Sequence, residues 1–147
     1  MYHYVESGLS NIWLANGFQQ EITDGEVYIS IDNLDELHRL ISKALVSLKR
    51  PLSAEEMRFL RIEMNMSQKL LSNLLGVDIQ TIARWEKGQS SIPRVADVAL
   101  RSLYTESINE QSYIGEILRT LSATSIQQQV EKLVFAEKGD MWQKLMM

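Results

Sequence analysis

The sequence predicts an α+β fold: a small N-terminal antiparallel β-meander plus a helix, followed by an all-α run of short capped helices. Three observations predict it. The turn dipeptides Asn16-Gly17 and Asp24-Gly25 separate runs rich in β-branched and aromatic residues. Apolar residues recur at helical spacing from Leu34 to Leu48. Beyond Pro51, residues that cap helices alternate with glycines that close them: Ser53, Ser67 and Asp78 against Gly76 and Gly88.

The elements follow in order. Tyr2, Tyr4 and Ile12-Trp13-Leu14 lead to the first turn, Phe18 to Ile22 to the second, and Val27-Tyr28-Ile29-Ser30-Ile31 completes a three-stranded meander. Asp32 or Asn33 can cap the next helix, with Glu36 near its positive end. Its apolar stripe (Leu34, Leu37, Leu40-Ile41, Ala44-Leu45, Leu48) should lie across one face of the sheet. Lys49-Arg50-Pro51 ends it. Residues 1–50 thus form a module of undefined role.

Residues 53–106 read as four helices. Ser53-Ala54-Glu55-Glu56 is a capping box. Ser67 caps a second helix that closes at Gly76, Asp78 a third that closes at Gly88, and Pro93 opens a fourth. Residues 107–147 read as two C-terminal helices suited to dimerisation. Ile114, Ile117-Leu118 and Leu121 form one stripe. A second capping box, Ser125-Ile126-Gln127-Gln128, precedes Val130, Leu133 and Val134, and Gly139 stops that helix. A short tail holds Met141, Trp142, Leu145 and Met146.

Composition narrows the functions. With no cysteine among 147 residues, disulfides and thiolate metal sites are excluded. Met1 to Gly8 contains Glu6 and no basic run, so no signal peptide is expected, and no apolar stretch approaches the roughly 20 residues of a membrane span. A cytoplasmic protein with no membrane association is the expectation. The net charge of −4 is unevenly spread: residues 1–52 carry four basic and seven acidic side chains, 53–106 seven of each, and 107–147 four and five. The middle segment is the least acidic, which matters more for a nucleic-acid partner than the total.

That middle segment carries the motif. Leu60-Arg61, Met66-Ser67-Gln68, Leu71, Leu75-Gly76-Val77, Thr81-Ile82, Arg84-Trp85-Glu86 and Gly88, in this order and spacing, resemble the Cro/CI/Xre helix-turn-helix family. The resemblance covers residues 53–106. It implies a lambda-repressor-like helix-turn-helix domain and a bacterial- or phage-type DNA-binding regulator of transcription. Ser72 stands where the family usually has alanine, small enough for two helices to approach. The resemblance also implies a structural ion pair between Arg61 and Glu86, which would keep both from reading DNA. Leu70 and Leu74 occupy positions that the family usually makes polar, and so point to a contact with another segment or with a partner.

The helix over 78–87 is then the one that enters the major groove. By spacing, Ile79, Gln80 and Arg84 point outward, Thr81 sits at the edge and Ile82 points in. Gln pairs with adenine in two ways, Arg with guanine, and Ile79 can meet a thymine methyl. Gln68 at the exposed start of the second helix, Lys69 beside it, and Lys87, Gln89, Ser90 and Arg94 are the candidates for the phosphate backbone. Lys69 has a plainer alternative as a solvated lysine.

Other residues carry less. Trp13 and Trp85 read as core or hinge residues. His3 and His38 lie in separate elements without a matched carboxylate and read as ordinary histidines rather than metal ligands or bases. No Gly-rich phosphate loop, catalytic pair or cofactor motif is present, and no enzyme is expected. The sequence thus points to double-stranded DNA as partner and to a homodimeric repressor. Two alternatives share the architecture: an antitoxin with a toxin as protein partner that autoregulates its operon, and a protein-interaction adaptor with an inactive helix-turn-helix.

Overall fold

The computed structural model describes residues 1–109, 114–123 and 132–145. In chain order the elements are β1 (Tyr2–His3), a single 3-10 turn (Val5–Ser7), β2 (Trp13–Leu14), β3 (Phe18–Thr23), β4 (Glu26–Ile31), α1 (Leu34–Val46), α2 (Ala54–Glu63), α3 (Gln68–Leu75), α4 (Ile79–Glu86), α5 (Arg94–Asn109), α6 (Ile114–Ala123), β5 (Phe135–Lys138) and β6 (Met141–Lys144). The chain is α+β, and all its described strand pairs are antiparallel.

The N-terminal strands form two separate pairs rather than one meander. Tyr2 faces Leu14 and His3 faces Trp13, while β3 and β4 pair from Phe18–Ile31 to Thr23–Glu26 around Asp24-Gly25. Asn16-Gly17 therefore joins two sheets instead of closing a hairpin. The cause lies in the 3-10 turn, which folds the chain back so that residues 13–14 meet residues 2–3, and Tyr4 donates its amide to the Ile12 carbonyl at 2.9 Å.

Helix α1 is not capped by a side chain. Asn33 takes a left-handed conformation and donates to Glu36 Oε2 at 2.7 Å, and Asp32 accepts from Gln19. The helix ends at Val46, before the Lys49-Arg50-Pro51 segment. It packs chiefly against α2 and α5 rather than across a sheet. One apolar cluster results, in which Leu9, Leu14, Ile41 and Leu45 join Met57, Leu60, Leu71, Ile82 and Leu100.

At the C-terminal end, α6 packs against α3 and α5. Leu74 of α3 is buried, whereas Leu70 is 43% exposed. The second helix expected here is overturned where it can be compared. Its capping box at residues 125–128 lies outside the described residues, but Phe135–Lys138 is a strand paired with Met141–Lys144. Gly139 serves as the first residue of a two-residue hairpin turn instead of a helix stop. A Gly-Asp pair between two four-residue runs is itself a hairpin signal, and it outweighed the helical spacing of Leu133 and Val134, while Val130 lies outside the described residues.

Candidate nucleic-acid interface

The interface is built from three short helices whose ends are fixed locally. Ser53 accepts the Glu56 amide, and Glu56 accepts the Ser53 amide at 2.8 Å, a complete capping box on α2. Ser67 Oγ accepts the Leu70 amide at 3.0 Å, and Asp78 Oδ1 accepts the Gln80 amide at 2.8 Å. The three C-terminal ends share one closing pattern. In each, a left-handed residue follows the helix and the next amide reaches back five residues: Met66 to Arg61, Val77 to Ser72, Gln89 to Arg84. Gly76 and Gly88 hold φ of 67° and 72° there, which only glycine adopts without cost. At the first turn the residue is Asn65, φ 56°.

These ends set which side of each helix faces in. Leu60, Leu71 and Ile82 have no exposed surface, and Trp85 is buried beside them. With 3.6 residues per turn, burying Ile82 and Trp85 leaves Ile79, Gln80 and Arg84 outward. All three are exposed, and Thr81 is half-buried at the edge. Arg84 and Gln80, one turn apart, lie at 3.4 Å through Nη2 and Oε1, so they form one polar unit on the outer face. Ser72 is buried and donates to the Lys69 carbonyl, so its hydroxyl is satisfied within α3.

A buried ion pair ties the helices together. Arg61 donates from Nε and Nη2 to the two oxygens of Glu86 at 2.6 and 2.9 Å, with side-chain exposures of 10% and 2%. A third donor, Nη1, holds the Met66 carbonyl at 2.7 Å. One guanidinium thus fixes α4 against α2 and also holds the turn into α3. Gln68 joins the group by donating to Glu86 Oε1 at 3.1 Å and is half-buried. Lys69, Lys87, Gln89, Ser90 and Arg94 are exposed. Lys69, Lys87 and Arg94 form no ion pair among the described residues. Three cations without an ion pair among the described residues and two polar side chains are therefore exposed within residues 69–94.

Capped α3, a tight glycine turn and an outward-facing α4 held by a buried pair form one compact helical unit, and the comparison with protein families names it. Residues 57–99 match the model of the family described as Helix-turn-helix. They are a helix-turn-helix of the Cro/CI/Xre type. The match supports a DNA-binding helix-turn-helix regulator. No curated protein and no solved structure matches the chain. No described helix is long and apolar enough to cross a membrane, and no group of His, Asp or Glu suited to a metal occurs among the described residues.

Several contacts around the helix-turn-helix escaped the sequence. Arg50 forms a bidentate pair with Glu56 at 2.7 and 2.8 Å. Burial pushes the Glu56 carboxyl up, but its bonds to Arg50 and Ser53 outweigh this and hold it below its ordinary value. Arg101 donates to the Leu48 and Arg50 carbonyls, each at 2.6 Å, and pairs with Asp97, which accepts the Leu52 amide at 2.8 Å. His38 bridges Tyr4 and Glu63, each at 2.7 Å, so it does meet a carboxylate. Trp85 is core, but Trp13 is not: it is 57% exposed and stacks on His3 at 4.1 Å. The contacts of His38, and those of Arg101 and Asp97 with residues 48–52, join partners 25 or more positions apart and leave no mark in local spacing.

Proposed function

We propose that this protein is a sequence-specific repressor that binds duplex DNA as a homodimer. The observation that carries the reading is the outer face of α4, where Ile79, Gln80 and Arg84 are exposed above a buried Ile82. Inserted in the major groove, Arg84 takes the O6 and N7 acceptors of a guanine, Gln80 pairs with an adenine, Ile79 meets a thymine methyl, and Thr81 reaches the edge of the site. Lys69, Lys87, Gln89, Ser90 and Arg94 take phosphates, and the first amides of α3, at Gln68 and Lys69, add a backbone contact. The Gln68 side chain keeps its bond to Glu86 and acts by orienting that start.

One such head covers a single half-site. Two heads about 34 Å apart, related by a two-fold axis, read a pseudo-palindrome. The C-terminal residues are the best source of that axis. Ile117 and Leu121 of α6 and Trp142 of β6 are each more than half exposed, and a two-fold apolar patch would cover them.

Enrichment of bound duplexes from a random library tests the reading. A two-fold-symmetric motif is expected. Gln80→Ala with Arg84→Ala should abolish enrichment, and unchanged enrichment would remove α4 from base reading. Ile117→Glu with Leu121→Glu should give a monomer in sedimentation that binds half-sites weakly; a dimer that survives would place the interface elsewhere.

A further inference from the structure

The hairpin β3–β4 has two unlike faces, and the described chain covers only one end of it. Residues directly opposite share a face. Phe18–Ile31, Gln20–Ile29 and Ile22–Val27 therefore lie on one side, and Gln19–Ser30, Glu21–Tyr28 and Thr23–Glu26 on the other. The first side is apolar apart from Gln20. At its base Phe18 and Ile31 pack against the core, but at its tip Ile22 and Val27 are 76% and 60% exposed. The second side is polar and acidic, with Glu21 beside Tyr28 and Glu26 beside the turn residue Asp24. Among the described residues this sheet has no third strand, so both outer edges keep unpaired amides and carbonyls.

Charge decides what fits. No lysine or arginine precedes Arg39, while residues 1–38 carry seven carboxylates. A second copy added edge to edge would bring together two hairpins that each carry Glu21, Asp24 and Glu26 and no lysine or arginine, which is unfavourable. An extended segment with alternating apolar and cationic residues has the opposite property. In strand register along either outer edge its apolar residues extend the Ile22–Val27 side, its cations face Glu21 on the β3 edge or Glu26 on the β4 edge, and its backbone completes the ladder. We propose that the β3–β4 edge docks such a segment from a basic partner protein. This site is separate from the DNA-reading face and does not depend on it.

The test uses the full chain, labelled for amide NMR, and three end-blocked octapeptides of alternating Lys/Val, Lys/Ser and Glu/Val. The Lys/Val peptide should shift and protect amides within residues 18–31. Each control should bind about tenfold more weakly, one for lack of apolar area and one for lack of charge complementarity. Ile22→Ser with Val27→Ser should weaken the Lys/Val peptide about tenfold and leave DNA binding unchanged. Glu21→Lys with Glu26→Lys should reverse the preference to Glu/Val, and far-ultraviolet circular dichroism verifies that both variants fold. The proposal is overturned by absence of binding, by equal binding of all three peptides, or by shifts elsewhere. A concentration-dependent dimer abolished by the Ile22 and Val27 substitutions would also overturn it, because the occupant would then be a second copy.

Discussion

The helix-turn-helix and the β3–β4 hairpin show two ways of arranging apolar residues. In the helix-turn-helix, Leu60, Leu71 and Ile82 lose all contact with solvent, and the starts of α2, α3 and α4 each have a side-chain cap. In the hairpin, an equally regular alternation leaves Ile22 and Val27 exposed at the tip. Periodicity alone therefore does not bury a face. Burial follows when a second element lies opposite, and short turns supply one for each helix within about ten residues. The two strands of the hairpin pair with each other, but among the described residues nothing lies over its tip. Stability should accordingly concentrate in residues 53–109.

The largest expected effect sharpens that contrast. Glu86→Ala leaves the buried Arg61 guanidinium without its carboxylate and should cost about 3–5 kcal/mol in urea unfolding. A cost below about 1 kcal/mol would mean that water reaches Arg61 and that the pair is no brace. Leu60→Ala opens a cavity among fully buried neighbours and should cost about 2–5 kcal/mol by the same measurement. Ile22→Ala, on the hairpin, should stay within about 0.5 kcal/mol. Equal losses at Leu60 and Ile22 would break the comparison outright.

Acid should act on the helical region through Glu56. Its carboxyl is held below the ordinary value of 4.5, so its contribution is present above that pH. It is lost as pH falls through the lower folded-state value. Glu56→Gln keeps an acceptor for Ser53 but no charge for Arg50. Its unfolding midpoint should be lower at neutral pH and should fall less on acidification than that of the parent. The smallest effect belongs to the first turn. Asn65→Gly relieves a left-handed non-glycine residue and should raise stability by about 0.5 kcal/mol, read as a small rise in the thermal midpoint.

The two regions also differed in how legible they were. Ser53, Ser67, Asp78, Gly76 and Gly88 act within five residues of themselves, so the ends of α2, α3 and α4 could be read from the chain, and the outward set on α4 followed from its period. Strand pairing depends on where the chain returns. Asn16-Gly17 has the chemistry of a hairpin turn, yet residues 13–14 found residues 2–3 instead. Trp13 reads in the sequence as a core or hinge residue, but its strand is only two residues long and leaves it 57% exposed. The strands β5 and β6 were overlooked because four-residue runs carry too little alternation to compete with a helical stripe. In the site, Gln68 bonded to Glu86 and His38 bonded to Glu63 are meetings across the fold, which spacing does not encode.

The clamp of Arg101 and Asp97 on residues 48–52 has a mechanical consequence. A connector of this length usually swivels, but here two of its carbonyls and one of its amides are bolted to α5. A bolted joint has little slack. A pull applied to α1 from outside would be delivered to the start of α2 and the body of α5 instead of dissipating in a swivel. The peptide bonds around Lys49 are likewise denied the local unwinding that a protease needs. The N-terminal third of the chain is thereby a lever arm on the helix-turn-helix, and it would tumble in solution with it as one particle.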